Sequence, residues 1–319
     1  MWIRPAIVLA LIALIALIAL AAGRAAAFDL QGHRGARGLA PENTLAAFER
    51  ALALGVDTLE SDVHLTADGV PVLHHDAALQ PERTRDASGA WLSAPLLLKD
   101  LTLVQLQGYD VGRARPGSAV AQAFPRQQPR DGERVPTLAQ LFALVKARGA
   151  DGVRFNLEVK MHPQRPEERP PWERIVDALL AEVKAAGMEG RVTIQGFDWR
   201  ALRRGHERAP GLPTACLSAQ TARFDTLTSG LWTADVTLAA HGSAAAMAKA
   251  AGCSIWSPQA GDLDAARVRQ AQALGLQVLP WTVNERAEME RLIVWGVDGL
   301  ITDEPDVALA LLRERGLRR

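Results

Sequence analysis

The sequence is poor in cysteine, has no basic surplus, and past residue 27 contains no apolar run long enough to span a membrane. Each gap removes a class of protein. Two cysteines in 319 residues exclude a disulfide-built scaffold, because a chain this long can bury a core without staples. Cys216 and Cys253 lie 37 residues apart, each in or beside a strand-like run. They are expected to be buried thiols, with a disulfide as the alternative. Lysine plus arginine number 36, and so do aspartate plus glutamate. That balance, with no basic stripe, argues against a nucleic-acid partner. No internal repeat is present, nor any low-complexity tract beyond the start of the chain.

The beginning of the chain does carry an apolar run. A positive stretch ending at Arg4 precedes Ala, Leu and Ile up to Ala22, and Ala25, Ala26 and Ala27 follow. This is the layout of a secretory signal peptide over residues 1–27, with an Ala-x-Ala cleavage site before Phe28. The alternative is retention as a membrane anchor, since the run approaches the ~20 residues a span requires. Cleavage would remove Arg4 and Arg24, leaving 34 basic and 36 acidic residues, and would leave no stable membrane insertion. The Ala- and Arg-rich composition suggests a Gram-negative periplasm.

Residues 28–319 alternate short β-branched runs with longer stretches of helical period, as βα units do. Strands are expected at 28–33, 58–65, 153–159, 191–196, 214–218, 254–257, 277–283 and 298–302. Helices are expected at 44–54, 138–148, 172–186, 264–274 and 285–295, four of them stopped by Gly55, Gly187, Gly275 and Gly296. Eight strands suggest a closed (β/α)8 barrel in one domain. The period breaks down between Asp76 and Pro136, so residues 77–135 are read as an insertion after the second strand.

Chemistry-bearing residues gather at the expected strand ends. Glu60 and Asp62, two apart, share one face of the second strand, and Glu158 sits at the matching end of the third. Such a trio can hold one divalent cation, Mg²⁺ or Ca²⁺. The competing reading, ion pairs with arginines on the barrel rim, has equal standing from spacing alone. His33 and His75 close neighbouring extended segments and suit acid–base work near neutrality. Arg34 offers a fork of donors for phosphate oxygens, and Lys160 a point charge. His64 shares the parity of Glu60 and Asp62 one step farther along and is a weaker ligand candidate. His74 reads as structural, while His162, His206 and His241 have no evident companions.

These residues stand in runs that resemble the glycerophosphodiester phosphodiesterases. Gly32-His33-Arg34-Gly35 and Pro41-Glu42-Asn43-Thr44 are similar to that family's opening motif. Glu60-Ser61-Asp62-Val63, Thr66-Ala67-Asp68-Gly69 and His75-Asp76 resemble its central signature. Asn156-Leu157-Glu158-Val159-Lys160, Pro280-Trp281-Thr282-Val283-Asn284 and the run from Gly296 to Asp306 resemble its later strands.

The resemblance implies a TIM-type barrel with a small insertion after the second strand, and metal ligands at Glu60, Asp62 and Glu158. It implies an acid–base pair in His33 and His75, phosphate contacts from Arg34 and Lys160, and a glycerol pocket lined by Trp281. The expected reaction converts a small glycerophosphodiester to sn-glycerol 3-phosphate and an alcohol. Oligomeric state is not legible. Two alternatives remain: a lysophospholipase D- or sphingomyelinase D-like enzyme using Trp91 and the insertion's leucines as an acyl trough, and a non-catalytic binding barrel. One departure stands out, since Gly196 precedes Phe197 where many relatives carry Ser. Gly196 is expected to remove a hydroxyl from the mouth, with Gln195 as a substitute polar contact.

Overall fold

The computed structural model describes residues 28–318; the expected signal peptide at 1–27 lies outside them. Eight parallel strands build the barrel: β1 (Asp29–Gly32), β2 (Thr58–Leu65), β3 (Arg154–Val159), β4 (Val192–Gly196), β5 (Thr214–Ser218), β6 (Ile255–Pro258), β7 (Gln277–Val278) and β8 (Gly299–Thr302). The helices that follow them are α1 (Leu45–Leu54), α2 (Leu138–Ala147), α3 (Trp172–Ala186), α4 (Trp199–Arg208), α5 (Ala244–Ala250), α6 (Ala265–Ala273), α7 (Arg286–Trp295) and α8 (Pro305–Glu314).

From β1 to β7 each strand pairs with the next, and β1 also pairs with β8, Asp29 lying beside Gly299. Gly299 is required there, because a Cβ would stand 2.2 Å from the Asp29 carbonyl oxygen. The seam between β7 and β8 nearly closes the ring. It has no regular ladder, but Asp298 N–H donates to Val278 O, and Ile301 N–H to Pro280 O, each at 3.0 Å.

That seam corrects the expected strand 277–283. Pro280 lacks an N–H, and the ladder stops at Val278. Beyond it the chain still follows its neighbours, with Val283 N–H donating to Ile301 O at 3.0 Å.

Local chemistry sets the helix ends. Thr44 caps α1 by accepting from Ala47 N–H, and Thr137 with Gln140 forms a capping box at α2. Gly55 and Gly296 end α1 and α7 at φ 83°, a left-handed conformation that costs a Cβ-free residue least. Outward strand residues such as Leu59, Leu157 and Ile194 meet the apolar faces of the helices in one core. On the opposite side of β5, β6 and β7, Ala215, Ile255 and Leu279 form a separate buried cluster in the barrel interior.

The cysteines correct a second expectation. Cys216 and Cys253 form a disulfide, with Cα atoms 5.9 Å apart. Cys216 faces outward from β5 and Cys253 lies on the return from α5 into β6, the strand beside β5, so the βα crossover itself brings them together.

Between β2 and α2 the chain leaves the barrel. Pro71–Leu73 first turns back antiparallel on β2. A two-stranded sheet (Ala78–Leu79 with Leu96–Leu97) and short helices Leu103–Leu106 and Ala119–Ala123 follow. Val72, Leu79, Leu98, Leu106 and Val135 form this lobe's own core, with Leu92, Leu96, Leu101 and Leu103 packed on it. Most leucines considered for an acyl trough are therefore spent inside the lobe.

Candidate active site

The register places the acids. Asp62 on β2 is the lateral partner of Glu158 on β3, and Glu60 lies one inward-facing step below Asp62. Glu60, Asp62 and Glu158 are all buried, and each offers a carboxylate oxygen within 4.8 Å of the other two.

Their partners differ. Glu60 accepts from the Arg34 backbone N–H at 2.9 Å and from Gln195 Nε2 at 2.7 Å. Asp62 Oδ2 accepts from Asn43 Nδ2 at 2.8 Å, with Arg34 Nε 3.3 Å away. Lys160 Nζ stands 2.9 Å from Glu158 Oε1 and 3.3 Å from Asp62 Oδ1, an oxygen that makes no hydrogen bond.

Both readings of the acids thus meet at one place, since Arg34 and Lys160 do pair with them. Three carboxylates nonetheless outnumber two cations, one of which is shared with Glu42. Burial and the Asp62 charge push the Glu60 carboxyl well above its ordinary range. Burial also raises Glu158, to about 7. Burial works against the Asp62 charge as well, but Lys160, ahead of His75 and Arg34, holds that carboxyl well below its usual value. Buried acids under such stress, one with an oxygen lacking a donor, fit a hard divalent cation.

The two histidines are mounted alike. His33 Nδ1 lies 2.6 Å from Asp303 Oδ1, and Asp303 is fixed by Asn284 Nδ2 at 2.7 Å. Its Nε2 is 3.9 Å from Glu60 Oε2. His75 Nδ1 lies 2.7 Å from Asp76 Oδ1, and Asp76 is paired with Arg83. Both aspartates are held below their ordinary values despite burial, by their histidines and nearby arginines, and so act as acceptors of the Nδ1 proton. Burial lowers His33, and burial together with Arg34 and Lys160 lowers His75 to about 3. Arg34, Arg37 and Arg83 all converge on Glu42. Arg34 takes φ 50°, a position a non-glycine residue keeps only when its surroundings fix it; here its N–H serves Glu60 and its guanidinium serves Glu42.

His33, Arg34, Glu60, His75, Glu158, Lys160 and Trp281 line one small inner pocket of about 70 Å³. Beside it lies a cleft of about 720 Å³ that His75, Glu158, Lys160 and Trp281 also line. His64 stays outside the acid group: its ring meets the His75 carbonyl at 3.2 Å and braces that backbone. His74 bonds the Asp76 carbonyl at 3.0 Å, a structural use.

Gln195 turns inward to Glu60, its amide oxygen accepting from Asn156 Nδ2 at 2.9 Å. Gly196 needs correction, because a Cβ there would meet Leu202 on α4 at 3.6 Å and the Val159 carbonyl at 3.7 Å. A serine would therefore sit toward the helix side, and its absence takes no hydroxyl from the inner pocket.

Eight βα units with acids, histidines and cations at the carboxyl ends of β1, β2 and β3 define a barrel enzyme. The chain belongs to the glycerophosphoryl diester phosphodiesterase family, whose model matches residues 33–307. A glycerophosphodiester phosphodiesterase of Caldanaerobacter subterraneus is 31% identical over 288 residues, covering 89% of this chain and 97% of that one. Another, from Bacillus subtilis, is 31% identical and covers 86% and 83%.

A solved structure from Silicibacter pomeroyi, assigned to the glycerophosphoryl diester phosphodiesterases, superposes with a TM-score of 0.82 at 35% identity, covering 92% of this chain and 95% of that one. The fold is shared as well by an Oleispira antarctica phosphodiesterase solved with sn-glycerol-3-phosphate, at a TM-score of 0.66, 23% identity and 89% and 96% coverage. The chain is accordingly an enzyme, a phosphoric diester hydrolase acting on glycerophosphodiesters.

Proposed function

We propose that residues 28–319 form one catalytic domain, with 77–135 inserted, that hydrolyses small glycerophosphodiesters to sn-glycerol 3-phosphate and an alcohol. The observation that carries this reading is the meeting of Glu60, Asp62 and Glu158 between the aspartate-backed His33 and His75. The three carboxylates would hold one Mg²⁺ or Ca²⁺, which when bound offsets the diester's charge and stabilises the charge that builds up during transfer.

Arg34 and Lys160 hold phosphate oxygens, and Trp281 lies against the glycerol unit. His75, kept neutral by burial and two cations, takes the proton from the nucleophile. That nucleophile is water or the glycerol 2-hydroxyl, the second giving a cyclic phosphate that water then opens. As its oxygen bonds to phosphorus, the bond to the alcohol breaks, and His33 supplies that alcohol's proton. Asp303 offsets part of the lowering that burial imposes on His33, since a carboxylate at Nδ1 favours the imidazolium.

The leader suggests export to the periplasm. Among the described residues no helix is long and apolar enough to cross a membrane.

The test is product identity with glycerophosphocholine, beside His33→Ala and His75→Ala. Release of sn-glycerol 3-phosphate with both variants reduced by about 10²-fold or more supports the reading. Release of phosphocholine, or activity surviving both changes, overturns it.

A further inference from the structure

The inner pocket and the Trp281 wall account for phosphate and glycerol. The cleft beyond them, of about 720 Å³, has far more room than glycerol fills, and its far side carries charge the reaction does not use. Arg165, Glu168 and Arg169, on the loop between β3 and α3, all line it. Glu168 bonds both arginines, Arg165 at 3.2 Å and Arg169 at 3.1 Å, so one carboxylate answers two guanidinium groups. Lys160, on the same wall, stands beside Glu158 and Asp62 and already serves the phosphate.

Arg169 is the unusual member. Its side chain is only 7% exposed, and its Nε makes no hydrogen bond. His162 lines the same cleft, packs edge-on against Trp232 with ring centroids 5.0 Å apart, and leaves its buried Nδ1 without a partner. Both atoms are closed off from the open cleft; what faces it is the charge of two guanidinium groups, of which Glu168 offsets one.

Resting on the proposed hydrolysis of glycerophosphodiesters, we infer that Arg169, with Arg165, forms an anion-recognising subsite for the departing alcohol. The preferred diesters then carry a carboxylate or phosphate on that alcohol. Arg169 acts here as a specificity residue and takes no part in proton transfer.

Glycerophosphoserine and glycerophosphoethanolamine differ by one carboxylate, and glycerophosphoinositol 4-phosphate and glycerophosphoinositol by one phosphate. Comparing kcat/KM within each pair isolates the anion and distinguishes its two sources. One charge-assisted contact corresponds to a preference of about tenfold or more for the anionic member of at least one pair. The ratio collapses toward unity in Arg169→Gln and shrinks in Arg165→Gln, with the change residing in KM. Because it is read within each variant, any general loss from disturbed packing divides out. Arg204→Gln, which breaks a pair with Asp177 on the outer helices, leaves it unchanged.

Turnover of all four diesters without a preference for either anionic member overturns the subsite and leaves the hydrolytic reading standing. A preference that persists in both arginine variants also overturns it. Turnover of none of them overturns the hydrolytic reading, and the subsite with it.

Discussion

His33 Nδ1 and Asp303 Oδ1 lie 2.6 Å apart although 270 residues separate them, joined only because β8 returns to pair with β1. The aspartate fixes the ring so that Nε2 faces the inner pocket. Asp303→Asn keeps the shape but can present its amide to Nδ1 and so select the wrong tautomer. Expected is a fall in kcat of about 10²-fold or more with little change in thermal midpoint. Unchanged kcat in the folded variant would remove Asp303 from the account.

Gln195 is predicted to support the cation indirectly. Replacing it by leucine leaves Glu60 Oε1 without its 2.7 Å donor, in a site where Asn156 also loses a partner. Loss of such an outer contact weakens metal affinity by about 10- to 100-fold. Calorimetric titration with Mg²⁺ and Ca²⁺ reads this directly, and equal affinity in the variant contradicts it.

Glu158 links stability to pH. Burial raises its carboxyl to about 7 in the fold, whereas an unfolded glutamate titrates at about 4.3. Between those values the metal-free fold binds a proton that the unfolded chain does not. Its contribution to stability is therefore fully present below the unfolded value and is lost as pH rises through about 7. A cation must displace that proton. The rise in melting temperature on adding metal is thus expected to be larger at about pH 8 than at about pH 5.5, and an equal rise at both would count against metal binding by this group.

The Cys216–Cys253 bridge closes a loop across 37 residues. In the chain-entropy description a loop of this length contributes about 3–4 kcal/mol. The double serine variant is expected to lose about that much in denaturant unfolding while retaining turnover at 25 °C, because the bridge lies on the helix side of β5, away from the inner pocket. Free thiols detected in the unfolded native chain under non-reducing conditions would contradict the bridge.

The parts of the site set by short-range rules were legible in the sequence. Strand parity put Glu60 and Asp62 on one face, and the matching end of the next barrel strand brought in Glu158. Partners joined by closure of the barrel were not. Asp303 follows β8 in a run already similar to the family, but nothing local says that its carboxylate meets His33. Gln195 came to notice only as a polar contact, because its target, Glu60, lies 135 residues away. The disulfide stands only as the alternative in the sequence for a similar reason, since thiols and bridged cysteines look alike in apolar runs until the path of α5 is known. Pro280 is a local signal in the sequence; lacking an N–H, it limits β7 to Gln277–Val278.

Turnover is expected to require a divalent cation held by Glu60, Asp62 and Glu158. The most direct measurement is turnover of glycerophosphocholine by the chain beginning at Phe28, first stripped with chelator and then supplied with Mg²⁺ or Ca²⁺. Activity is expected to disappear on stripping and to return with one of the two ions in the native chain but not in Glu60→Gln. Full turnover by protein that elemental analysis shows to be free of metal would contradict it.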